Sequence, residues 1–136
     1  MNSNLQLEIV TPFGKTFTEE VISCVVPGAS GQFQVLKNHA PVISNITVGA
    51  IKVKNLEKNE IFIATSGGFC EVRDNAVKII VESAELADSI DVNRAIKAKE
   101  RAEERLRSKS SEIDEVRAKL ALTRAINRIS ISKYAS

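Results

Sequence analysis

Six arginines in the last third of the chain repeat one spacing: Arg94, Arg101 and Arg105, then Arg117, Arg124 and Arg128. The steps are seven and then four residues each time. At about 100° per residue these offsets return to nearly one azimuth of an α-helix, so each triplet predicts a stripe along a helix. A guanidinium is planar and presents paired N–H donors that grip phosphate or carboxylate oxygens bidentately. Two such stripes on neighbouring helices make a place where an anionic group can be held. The plain alternative is a solvated face on which Glu100, Glu103 and Glu104 act as helical neighbours of the arginines. The first stripe begins inside Ile90-Asp91-Val92-Asn93-Arg94-Ala95, where the sequence changes character.

Other chemistry is sparse. The single histidine, His39, has no set of Cys, Asp or Glu around it with metal-ligand spacing, so no metal site is assigned. It stands in a loop before Pro41 and reads as a loop-fixing or interface residue. No nucleophile elbow, phosphate-binding glycine loop or dinucleotide fingerprint is present. Gly67-Gly68, after Ser66, reads as a turn between strands. No catalytic residue is assigned, and the chain is expected not to be an enzyme by itself.

Charge separates the two parts of the chain. Residues 1–89 hold seven Lys/Arg against ten Asp/Glu, and residues 90–136 hold twelve against seven. The basic part suits an acidic partner or ligand. Nucleic acid is not favoured, because acidic residues are interleaved and Tyr134 is the only aromatic there. A basic adaptor for nucleic acid is the alternative of a different class, and steeply salt-dependent DNA or RNA binding would reveal it. No apolar run approaches the roughly 20 residues that span a bilayer, and Met1-Asn2-Ser3-Asn4 does not begin a signal peptide. Cys24 and Cys70 lie in apolar runs and read as buried, reduced thiols of a cytosolic chain.

The elements that must position the arginines follow from periodicity. Leu5, Leu7 and Ile9 alternate with Gln6 and Glu8, the period of a half-buried strand. Val21 to Val26 is an apolar run stopped by Pro27-Gly28, and Gln32 to Val35 alternates again. Further strands are expected at Val42 to Val48, Ala50 to Lys54, Ile61 to Thr65, Gly68 to Val72 and Ala76 to Val81. Polar connections lie at Leu56 to Glu60 and Arg73-Asp74-Asn75. Short strands at such intervals predict an antiparallel sandwich or barrel over residues 1–87.

Residues 88–136 change to helical periodicity. Ser89 or Asp91 can cap a first helix with Val92, Ala95, Ala98, Ala102 and Leu106 on its apolar side. Ser108-Lys109-Ser110-Ser111 ends it, and Ser110 or Ser111 is the expected cap of a second. That helix presents Ile113, Val116, Leu120, Ile126 and Ile129, with Ala118, Ala121 and Ala125. So short a connection predicts an antiparallel helical hairpin. Alanine-rich seams bury little area, so docking of the hairpin on the sandwich is expected to be marginal and movable.

Pro27-Gly28-Ala29-Ser30-Gly31-Gln32-Phe33-Gln34-Val35-Leu36-Lys37-Asn38-His39-Ala40-Pro41 resembles a signature of the epsilon subunit of bacterial-type rotary (F-type) ATP synthases. Ser66-Gly67-Gly68-Phe69-Cys70-Glu71-Val72 looks like a strand of that family. Ala84-Glu85, Ile90 to Ala95 and Lys99-Glu100-Arg101-Ala102 continue the match over nearly the whole chain. Gln34, where Gly is usual, and Lys37, where Pro is frequent, depart from it in local loop stiffness. The resemblance implies a flattened β sandwich that docks on the gamma subunit and the ring of c subunits, coupling proton flow to rotation. It implies a C-terminal hairpin that lies folded or extends into the alpha and beta subunits and blocks ATP hydrolysis, with catalysis elsewhere. Association with the cytoplasmic face of the membrane would be peripheral, through the complex.

The same resemblance bears on the arginines. Ile90-Asp91-Val92-Asn93-Arg94-Ala95 fits the Ile/Leu-Asp-x-x-Arg-Ala motif associated with ATP binding in bacterial epsilon subunits. By matching surroundings, Glu85, Arg101, Arg124 and Arg128 join Ile90, Asp91, Arg94 and Ala95 in an implied nucleotide site. ATP is thereby implied as a regulatory ligand; no cofactor is required. Arg105 and Arg117 stay with the solvated reading. A purely structural coupling subunit, whose hairpin neither binds ATP nor inhibits, is a further alternative.

Overall fold

The computed structural model describes residues 4–108 and 112–135. Two compact units result, Met1–Leu86 and Ala87–Ser136. Among the described residues the first carries nine strands: β1 (Leu5–Thr11), β2 (Gly14–Gly28), β3 (Gly31–Val35), β4 (Val42–Ile46), β5 (Gly49–Asn55), β6 (Glu60–Thr65), β7 (Gly68–Arg73), β8 (Ala76–Val81) and β9 (Ala84–Leu86). The second carries a short 3-10 turn, Ala87–Ser89, and two helices, α1 (Val92–Ser108) and α2 (Glu112–Ser132).

The strands join in the order β1-β8-β7-β4-β2-β5-β6-β9, with β3 beside β2. Strand β1 pairs with both β8 and β2, so the sheet closes on itself into a sandwich. Every pairing is antiparallel except β1–β8, which is parallel from Gln6↔Ala76 to Val10↔Ile80. Strand β2 makes the closure possible. Its first half pairs with β1 and its second half with β3 and β5, and register breaks fall at Ile9/Val10 and Val21/Ser23. Such irregularities raise the local twist and let one strand pass from one layer to the other.

The core alternates as the sequence does. Leu5, Leu7, Ile9, Ile51, Ile63 and Ile79 have essentially no accessible surface, and β-branched residues suit the pleated packing between layers. Three readings of the sequence change. The segment Gly14 to Glu20 is strand, although Phe17 is its one buried apolar residue. Pro27 does not end β2, which runs on to Gly28 in register with Gly31. Gly68, read both as part of a turn and as the start of a strand, belongs to β7 as the strand reading expected, because it pairs with Ile46 on one side and Val81 on the other. A Cβ there would fall on the carbonyl oxygen of Ile80, so only glycine lets these backbones approach.

Loop geometry follows residue type. Asp74 and Asn75, both at positive φ, form the two-residue turn between β7 and β8. The Oδ1 of Asn75 accepts the Asn38 N–H at 2.7 Å, and its backbone carbonyl accepts the Gln6 N–H at 2.9 Å. His39 Nδ1–H donates to the Ala40 carbonyl at 2.6 Å, the loop-fixing role expected for it. Cys24 and Cys70 are buried and free. Desolvation, with Cys70 nearby, pushes the Cys24 thiol up to about 12, and desolvation with Glu71 pushes Cys70 up to about 11.

Candidate functional site: an arginine face on the helical hairpin

Helix α1 begins with a cap. The Oδ1 of Asp91 accepts the backbone N–H of Arg94 at 3.1 Å, and its carbonyl accepts the Ala95 N–H at 3.0 Å. Asp91 is therefore the N-cap and Ser89 is not, since Ser89 ends the preceding 3-10 turn. Ile90 stands at N′ and Ala95 at N4, and both are buried. That is the placement of a hydrophobic staple, which fixes the angle at which the chain enters a helix. The expected cap of α2, Ser110 or Ser111, lies outside the described residues.

The two helices pack along alanines. Ala95 and Ala102 on α1, and Ala118 and Ala125 on α2, are all at least nine-tenths buried. Each pair is separated by seven residues, the spacing of a seam. The large apolar residues expected inside go the other way: Val116 is 58% exposed, Leu120 52% and Ile126 48%. Val116 and Leu120 lie on the side of α2 away from the alanines, because small residues let helix backbones approach where bulky ones would hold them apart.

The seam fixes where the arginines go. On each helix the stripe lies about 90° from the buried alanines, in the same rotational sense. Antiparallel helices reverse that sense in space, so both stripes fall on one face of the hairpin. Arg94, Arg101, Arg105, Arg117 and Arg124 are exposed and Arg128 is half-buried. Three residues link the helices, so Arg94 stands level with the interval between Arg124 and Arg128. Arg101 stands level with Lys119, nearer Arg117 and about 7–8 Å along the axis from Arg124. Arg101 and Arg105 also line an open depression of about 290 Å³ with Glu104 and Ser108. Arg105 and Arg117, read from the sequence as solvated bystanders, thus extend the same face; the repeated spacing was the signal for them.

Five arginines of the face carry unpaired charge. Glu115 and Lys119 pair at 3.2 Å on α2, and among the described residues Arg94, Arg101, Arg105, Arg117 and Arg124 form no ion pair within 4.0 Å. Like-charged guanidinium groups gathered on one face favour an incoming polyanion. Glu85 lies on β9, half-buried and in register with Ala64. On the sandwich, a depression of about 380 Å³ lined by Glu19, Glu20, Asn55, Leu56 and Glu57 has the opposite character. Among the described residues no group of His, Cys, Asp or Glu is placed to hold a metal ion, and no helix is long and apolar enough to cross a membrane.

A closed sandwich followed by a two-helix unit defines a known class. Residues 4–87 match the family described as ATP synthase, Delta/Epsilon chain, beta-sandwich domain, and residues 88–133 match its long alpha-helix domain. The chain belongs to the ATP synthase epsilon chain family. It is 46% identical over 130 residues to the ATP synthase epsilon chain of Desulforamulus reducens, covering 95% of this chain and 97% of that one. It is 42% identical over 126 residues to that of Bacillus cytotoxicus, covering 93% and 94%. Its fold is shared with a chain in the Euglena gracilis mitochondrial ATP synthase OSCP/F1/c-ring structure, with a TM-score of 0.79 at 22% identity, covering 90% of this chain and 78% of that one. A chain in the Tetrahymena thermophila mitochondrial ATP synthase central stalk/c-ring structure gives 0.60 at 12% identity, covering 96% and 98%.

Proposed function

We propose that this epsilon chain is a non-catalytic coupling and regulatory subunit whose helical hairpin senses ATP. The sandwich docks on the gamma subunit and the c-subunit ring, and the chain is held at the cytoplasmic face of the membrane through the complex. The fold is shared with a chain in the Tetrahymena thermophila ATP synthase central stalk/c-ring structure, which supports that placement. The hairpin, in a second state, extends towards the alpha and beta subunits and restrains ATP hydrolysis.

The observation that carries the sensor reading is the single arginine face. Arg94 stands level with the interval between Arg124 and Arg128, which are about 6 Å apart along α2, and Arg101 lies about 10 Å further along α1, a spread suited to a phosphate chain. Guanidinium groups meet its oxygens bidentately, and Asp91 and Glu85 supply acceptors for an exocyclic amine. Ile90, Asp91 and Ala95 complete the site at the start of α1. ATP bound to the folded hairpin shifts the population away from the inhibitory state by its differential affinity for the two.

Isothermal titration of the full chain with ATP tests this directly. Heat is expected with the natural sequence and is expected to fall at least tenfold in affinity with Arg124→Ala or Arg128→Ala, the loss of about one charge-assisted pair. No heat at millimolar ATP would sink the sensor. For the brake, deleting the segment after Asp88 should raise ATP hydrolysis by the reconstituted complex; unchanged hydrolysis counts against inhibition.

A further inference from the structure

We propose that the hairpin carries a second anion site, built by Arg101, Arg105 and Arg117, whose ligand is inorganic phosphate. The site lies beyond the nucleotide reading and does not depend on it.

The two helices repeat one sequence. Ile90, Asp91, Arg94 and Ala95 return as Ile113, Asp114, Arg117 and Ala118, and Ala98, Arg101, Ala102 and Arg105 return as Ala121, Arg124, Ala125 and Arg128. Every offset is 23 residues. The buried seam keeps it, with Ala95 matched to Ala118 and Ala102 to Ala125. The short link sets Ala95 opposite Ala125 and Ala102 opposite Ala118. A repeat packed antiparallel along one seam has an approximate twofold axis, here normal to the arginine face.

That axis duplicates the cluster. Arg94 stands level with the interval between Arg124 and Arg128, and by the same rise Arg117 stands level with the interval between Arg101 and Arg105. The centres of the two triads are about 14 Å apart along the face, too far for the phosphate chain of one ATP to fill both. Arg101, Arg105 and Arg117 are exposed, and among the described residues they form no ion pair within 4.0 Å. Arg101 and Arg105 line the open depression of about 290 Å³ with Glu104 and Ser108, and Asp114 stands one turn before Arg117. Three guanidinium groups against these two carboxylates leave the site positive.

The ligand class follows from how the second copy differs. Glu85, an acceptor offered to an exocyclic amine, stands five residues before Ile90, and Ser108 stands five before Ile113. The Ser108 hydroxyl donates to the Arg105 carbonyl at 2.8 Å. The second copy thus keeps the groups that grip phosphate oxygens and loses a carboxylate that reads a base. A small tetrahedral oxyanion suits it better than a nucleotide.

Heteronuclear NMR of the arginine Nε–H groups, with inorganic phosphate titrated into the full chain at constant ionic strength, tests the site. Arg101, Arg105 and Arg117 are expected to shift together on one saturable curve; shifts that never saturate would overturn the proposal. Arg105→Gln with Arg117→Gln preserves helix propensity and is expected to weaken phosphate binding at Arg101 at least about tenfold, because charge-assisted contacts are lost. Arg107→Gln with Lys133→Gln removes the same charge away from the triad and is expected to leave binding within about twofold. Equal weakening by both pairs would overturn the site, since overall charge would then be what draws phosphate. Loss of the phosphate shifts at Arg105 and Arg117 in saturating ATP would also overturn it, since the nucleotide chain would then fill the triad. If ATP itself shifts no arginine, the nucleotide reading is what fails, and the two variant pairs alone decide the second site.

Discussion

The sandwich and the hairpin are held together by different side chains. The sandwich encloses Leu5, Leu7, Ile9, Ile51, Ile63 and Ile79 with almost no accessible surface, whereas the hairpin closes on Ala95, Ala102, Ala118 and Ala125. A fully buried Leu or Ile contributes about 1.5–3 kcal/mol, and a methyl group far less. The hairpin meanwhile leaves Val116, Leu120 and Ile126 about half exposed. Bulk is therefore concentrated in the sandwich, and the arginines stand on a hairpin closed over small side chains, where close helix packing brings the charges together.

Substitutions can break or sharpen that contrast. The largest loss is expected at Gly68→Ala, where a Cβ meets the Ile80 carbonyl and neighbouring backbone on a strand paired at both edges. Destabilisation of about 4 kcal/mol or more should be seen in denaturant unfolding of the sandwich. Leu7→Ala should cost about 3 kcal/mol in the same assay through the lost transfer energy and the cavity.

The buried thiols come next. Both keep their protons in the folded protein to about pH 11 or 12, while the unfolded chain releases them from about 9. Above pH 9 the unfolded state thus binds fewer protons, and stability falls as pH rises, by about 1.4 kcal/mol per thiol one unit above that value. Below pH 9 the term vanishes. A Cys24→Ala, Cys70→Ala double variant should flatten the alkaline limb of the stability–pH curve; an unchanged limb would show that other groups cause it. The smallest effect belongs to the hairpin: Ala102→Gly should cost about 1 kcal/mol, read as loss of helical circular dichroism, with the sandwich transition unmoved.

The sequence disclosed these regions unevenly. Strands with strict alternation, such as Leu5 to Ile9, were legible because one face is buried and the other wet. Gly14 to Glu20 was not, since hydrogen bonds to β1 hold it and only Phe17 carries an apolar signal. The three-residue β9 is too short for any period. On α2, hydrophobicity pointed to Val116 and Leu120, but packing distance selected the alanines, a choice that only the partner helix makes. The arginine stripes were legible as spacing. Their common face needed the seam, and the role of Asp91 needed the hydrogen bond to Arg94.

The parallel pairing of β1 with β8 has a consequence for how the chain is made. Residues 6–10 at its start lie beside residues 76–80, so the sheet has no closed edge until β8 has been synthesised. Until then β1 exposes one side of its backbone, and the ladders β1–β2, β2–β5 and β5–β6 form a sheet that is still open. Closure of the sandwich on the ribosome therefore waits until β8 emerges, and contacts of such long range form more slowly than the local contacts of the helices that follow.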